Sequence, residues 1–152
     1  MKNTTTGLSS GSALSRSQLA SFMLMIEGSY FAISGLWPVV SMASFLSVTG
    51  PKTDLWLVRA FALVIILVGA SLFVSGIMKR ITAETGILAV GVPLTLLVID
   101  LTCTLRQVLP PVYLLDAVVE GAILFGWFYL WNKGFLLKQQ DYFEKLAHPA
   151  MP

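Results

Sequence analysis

Charge is scarce in this chain, and so are the side chains that hold metals and haem. There is one cysteine, Cys103, and one histidine, His148, in 152 residues. A lone cysteine excludes an intramolecular disulfide and a cysteine-cluster metal site. A lone histidine four residues from the C-terminal end excludes haem held by paired histidines in a membrane, and a His-rich zinc site. Charged residues make up 12% of the chain, about half the roughly 25% that a soluble domain needs to hydrate its surface. The net charge is only +2, and Lys and Arg are dispersed between apolar runs with no common basic face, so nucleic acid is not an expected partner. There is no nucleophile–base pair, Gly-rich phosphate loop or metal motif. The sequence therefore assigns no catalytic residue, cofactor or metal, and points away from an enzyme more than towards one.

Apolar residues fill the space that charge leaves. They are 56% of the chain and fall in long runs, which indicates lipid as the solvent. Crossing the hydrocarbon takes about 20 mostly apolar residues in a helix. Four segments meet that length, roughly 19–40, 55–78, 86–104 and 112–131, the second being the most apolar. Gly50-Pro51, the polar stretch 79–85 and Pro110-Pro111 separate them. The expected fold is all-α, a polytopic membrane protein built as a bundle of four transmembrane helices. Asp54 or Thr53 is placed to cap the second helix. Pro93 should bend the third and free a carbonyl one turn earlier.

Residues 1–18 are rich in Ser, Thr and Gly, with Lys2 and Arg16 and no acid before Glu27. The apolar run after them is interrupted by Glu27 and offers no evident cleavage site, so the stretch reads as a flexible tail, an organelle transit peptide being the minor alternative. Residues 132–152 read as a tail with a short interfacial helix through Phe135, Leu136, Phe143 and Leu146 as one option. With the N-terminus in the cytoplasm, seven basic residues (Lys2, Arg16, Lys79, Arg80, Lys133, Lys138, Lys145) lie inside against three outside (Lys52, Arg59, Arg106). That bias satisfies the positive-inside rule with both termini cytoplasmic. Trp37 and Trp56 then sit near the outer interface and Trp131 near the inner one.

Small residues supply material for close helix packing. Gly28 and Gly35 are one heptad apart, as are Gly69 and Gly76, and Ala117, Gly121, Ala122 and Gly126 give small-xxx-small spacings on the fourth helix. Such spacings support a bundle without fixing which helices pair.

The informative residues are the charges inside the spans: Glu27, Arg59, Asp100, Asp116 and Glu120. A charge at the bilayer centre costs about 2.5–3.5 kcal/mol on insertion scales, so each must face a partner or water, or become neutral. Counted along the helices, Arg59, Asp100 and Asp116 lie towards the outer side, with Glu120 and Glu27 deeper, so that four helices would contribute to one polar zone. Asp116 and Glu120, four apart, share a helix face with Tyr113, Ile123 and Trp127. Glu27 heads a stripe with Tyr30, Ser34 and Ser41. Two readings stand side by side. In one, Arg59 forms an inter-helix salt bridge with Asp116 or Asp100 that only locks the bundle. In the other, these groups line a cavity open to the outside, with Tyr30 and Tyr113 beside them, and bind a polar or cationic ligand. Glu120 and Glu27, without a cation at their depth, are then the proton-titrating members. Asp116-x-x-x-Glu120 superficially suits a divalent cation, but nothing supplies the remaining ligands. Lys52 and Arg106 read as solvated loop charges and Cys103 as inert.

The stretch Gly35-Leu36-Trp37-Pro38, followed by Phe45-x-x-Val48-Thr49-Gly50-Pro51-Lys52-Thr53-Asp54-x-Trp56-Leu57-Val58 and by Tyr113–Glu120, resembles a group of uncharacterised bacterial four-helix membrane proteins. More distantly, size and layout are similar to DoxX-like proteins and to the EXPERA sterol-isomerase group. The EXPERA likeness implies an intramembrane pocket with acidic residues. Small multidrug resistance transporters are similar in having four helices and a glutamate in the first, but this chain differs in its longer tails and its charge bias.

These features lead to an expected non-enzymatic binding or accessory protein in the lipid bilayer. Its ligand would be small and polar, cationic or lipidic, and it would act alone, as a homo-oligomer or in a membrane complex. A small proton-coupled transporter, a membrane lipid or sterol enzyme and a purely structural subunit are the alternatives.

Overall fold

The computed structural model describes the backbone of residues 10–132 and the side chains from residue 17. Its described residues are all helical or in connectors: α1 Ser10–Val40, α2 Met42–Thr49, α3 Leu55–Ile77, α4 Ala83–Leu105 and α5 Tyr113–Asn132. Four of these, α1 (from Ser17), α3, α4 and α5, are long and apolar enough to cross a membrane. The expected multi-pass helical bundle is therefore present, with span ends within three residues of the expected ones for α3, α4 and α5. α1 begins at Ser10, upstream of the expected start at Leu19, and runs through Pro38. Of the tail expected at residues 1–18, residues 10–18 belong to α1, while residues 1–9, like the interfacial helix expected after Asn132, lie outside the described residues.

α2 was not expected from the sequence. Its signals are local: the Ser41 hydroxyl accepts from the Ser44 N–H at 3.4 Å, and Gly50 ends the helix with a positive φ of 79°. Trp37 secures it to α1, donating to the Ser44 hydroxyl at 3.2 Å and meeting the Phe45 ring edge-on. Ser41 thus starts a new helix and does not extend the polar stripe of α1. Asp54 does occupy the N-cap position of α3, but its side chain makes no capping bond; only its carbonyl accepts, from Leu57 and Val58. α4 passes unbroken through the buried Pro93. Because proline lacks an N–H, the Ala89 carbonyl has no donor four residues on.

Helices α1 and α3 form the closest pair. They are antiparallel, and their glycines interlock: a Cβ on Gly28 would stand 2.6 Å from the Gly69 carbonyl oxygen, and one on Gly69 would stand 2.5 Å from the Ala32 nitrogen. Gly35 abuts Ala62 and Ile66, and Gly76 abuts Ser21 and Met25. Two heptads of glycine therefore let two backbones touch, the arrangement by which van der Waals packing holds membrane helices together when lipid removes the hydrophobic drive. The spacings on α5 behave differently. Gly126 touches the Met23 side chain, whereas Gly121 has nothing near it, nor have Gly86 and Gly91 on α4. α4 and α5 form the second pair, and the two pairs meet less extensively through α1 with α5 and α3 with α4. The core lies along that seam, from Leu24, Phe31, Ile65 and Leu72 on one side to Ala89, Ile123, Trp127 and Leu130 on the other.

Candidate functional site

Each helix buries one stripe. On α3 it is Ala62, Ile65, Gly69, Leu72 and Gly76, wholly without polar side chains. The other three carry carboxyl groups on theirs: Glu27 on α1, Asp100 on α4 and Glu120 on α5, with exposures of 1%, 7% and 2%. Depth along the helix and the direction of the stripe together place these acids inside the bundle instead of towards lipid.

Tyr30 and Asp116 join α1 to α5. The tyrosine hydroxyl donates to Asp116 Oδ1 at 2.5 Å, and both residues are half-buried. Asp100 and Glu120 lie within electrostatic range of that pair and of each other. Glu120 Oε2 is buried and has no hydrogen-bond partner. Glu27 is held separately: the Trp127 indole N–H donates to its Oε2 at 2.8 Å, and its Oε1 is buried and unpartnered. Two carboxyl oxygens inside the bundle are thus left without a donor, which normally costs about 1–3 kcal/mol each unless a proton, water or ligand satisfies them.

The structure brings together most, not all, of the residues singled out from sequence. Tyr30, Asp100, Asp116 and Glu120 converge at the seam between the pairs, Glu27 lies apart from them on Trp127, and Tyr113, Asp116, Glu120, Ile123 and Trp127 do share the inner face of α5. Arg59 does not join them. It is exposed, one position off the buried stripe of α3, and makes no ion pair among the described residues. The salt bridge of Arg59 with Asp116 or Asp100 is therefore absent, and the polar zone comes from three helices and not four. One residue turns a helix by about 100°, enough to move a side chain from the core to the lipid face.

Two contacts were not anticipated. Trp127 had no assigned role, although an indole N–H at that depth requires an acceptor, and Glu27 supplies it. Lys52, expected to be solvated, donates to the Thr49 carbonyl at 3.1 Å and lies 5.0 Å from the centre of the Tyr113 ring. Tyr113 is thus tied to the α2–α3 connector one turn above Asp116. Thr104 also leaves a buried hydroxyl unpartnered, and Cys103 is a free thiol, half-buried.

Among the described residues, the arrangement is a set of acids with no basic side chain between them. Asp100, Asp116 and Glu120 feel one another electrostatically, yet among the described residues no three His, Cys, Asp or Glu side chains are grouped so as to hold a metal ion. No family model, curated protein or solved structure matches this chain.

Proposed function

We propose that this chain is a non-enzymatic binding or accessory protein of a bacterial inner membrane, taking a small polar ligand into an acidic site in the outer half of its bundle. Both termini would face the cytoplasm, in keeping with the distribution of its basic residues. A cation is the favoured ligand, because three carboxyl groups gather at the seam with no basic side chain among them in the described residues. The observation that carries the reading is Glu120: it is 2% exposed, one oxygen has no partner, and Asp100 and Asp116 are nearby. A carboxyl group kept in that position needs a proton or a bound positive group to offset its burial. A lipid headgroup bearing an ammonium would satisfy the same chemistry.

Thermal-shift measurements on the purified protein in detergent test this, with a panel of monovalent inorganic cations, organic ammonium ions and zwitterionic lipids. A cation or an ammonium-bearing lipid should raise the unfolding temperature. Asp116→Asn and Glu120→Gln should each fold and lose that protection. Protection retained in both variants, or found with no member of the panel, would overturn the reading.

Glu27 favours a second reading, a small proton-coupled transporter. It is a separate buried carboxyl group with one unpartnered oxygen and only an indole N–H as donor. Reconstituted vesicles would then show uptake of a panel cation driven by a pH gradient and lost in Glu27→Gln. Uptake indifferent to the gradient excludes it.

A further inference from the structure

The site lies between two units that are unequally joined. Within the first, α1 and α3 meet backbone to backbone through Gly28, Gly35, Gly69 and Gly76. Within the second, α4 and α5 pack along each other. Between the units the contacts are sparser, and those that are polar involve the site itself. Tyr30 donates to Asp116, and Trp127 to Glu27. At the same end as Gly50, Lys52 covers the Tyr113 ring, and a Cβ on Gly50 would come within 3.3 Å of the Pro110 ring.

The opposite end is built as a joint. The chain passes from one unit to the other there through Met78–Thr82. α3 is closed by a complete C-terminal motif, in which Lys79, at φ 53°, donates to Gly76 at 3.2 Å and Arg80 to Ser75 at 3.1 Å. α4 opens with the Thr82 hydroxyl accepting from the Thr85 N–H. Arg80, which is exposed, and Ile81, whose side chain is buried in the core and fixes the pivot, lie between two capped helix ends, where a change of a few dihedrals is absorbed with least disturbance to either helix.

We infer that the α4–α5 unit swings against the α1–α3 unit about Arg80–Ile81, parting the seam at the Gly50 end and admitting ligand to Asp100, Asp116 and Glu120. Tyr30–Asp116 and Lys52–Tyr113 are the latch. A ligand that takes Asp116 Oδ1, the oxygen to which Tyr30 donates, competes with that hydroxyl, so occupancy of that oxygen and the latch are linked. Such a ligand favours the parted state to the extent that it binds that state more tightly. The purpose of the motion rests on the binding reading above; the motion itself rests on the seam.

Paired spin labels on the full chain in lipid nanodiscs test it, in a Cys103→Ser background. Val48→Cys with Val108→Cys spans the latch end, and Leu19→Cys with Trp131→Cys spans the joint end; all four sites are exposed. Tyr30→Phe and Lys52→Ala should each lengthen the 48–108 distance by several ångströms and leave the 19–131 distance unchanged. Lys52 lies in a connector outside the helices, so its variant reads the latch even where Tyr30→Phe fails to fold. An unchanged 48–108 distance in the folded variants, or lengthening of both distances together, would overturn the hinge. These distances do not depend on the ligand screen: a still seam with a successful screen removes the hinge alone, and a failed screen with a moving seam removes the binding reading alone.

Discussion

Trp127 and Glu27 show how a single buried polar pair constrains the residues around it. Among the described residues, the indole N–H is the only donor to a carboxyl group that is 1% exposed, and that carboxyl group is the only acceptor for the indole. Trp127→Phe would leave both Glu27 oxygens without a donor and is expected to destabilise the bundle by about 1–3 kcal/mol. Glu27→Gln retains an acceptor oxygen for Trp127 and should cost less; equal losses in a denaturant titration would show that the pair is incidental. Arg59 gives the opposite case. Exposed and without an ion pair among the described residues, it should tolerate Arg59→Gln within about 0.5 kcal/mol in the same titration. A large loss would restore the structural salt bridge. What the sequence made legible here was position along each helix, because rise per residue converts residue number into distance. The direction around the helix was less so. Glu27, Asp100 and Glu120 fall on the buried stripes of their own helices and Asp116 lies half-buried one turn from Glu120, whereas Arg59 misses the α3 stripe by one residue, and α3 is so uniformly apolar that its sequence hardly marks an inner face.

At the scale of helices, glycine spacing proved informative once the partner was known. Of the four glycines at heptad intervals on α1 and α3, Gly28 and Gly69 face each other, and all four have backbone of the partner helix where a Cβ would go. Gly69→Ala should cost about 1–3 kcal/mol through overpacking, read by unfolding in mixed micelles. Gly121→Ala, which has open space around it, should be neutral or slightly favourable, since alanine is the better helix former. Equal effects at the two positions would mean that close approach of α1 to α3 contributes little. Sequence spacing alone could not separate these cases, because a small residue admits a neighbouring helix without requiring one. The same limit hid α2: its apolar residues are too few for a span, and only the cap at Ser41 and the positive φ of Gly50 define it.

For the whole molecule, the division into two helix pairs matters more than the number of helices. The two most apolar spans, α3 and α4, are consecutive in the chain, and each is paired with a span weakened by acids: α1, which carries Glu27, and α5, which carries Asp116 and Glu120. This pattern bears on how the protein enters the membrane during synthesis. α1 emerges first and is a hesitant entrant on its own, yet its tightest partner follows within the next span and offers a glycine groove already shaped to it. α5 emerges last, onto an α4 that is already in place. Each reluctant helix is thus delivered beside a willing one, and the insertion of α1 should be markedly less complete in a chain truncated after Asp54 than in one truncated after Arg80, as read by protease protection in inverted vesicles.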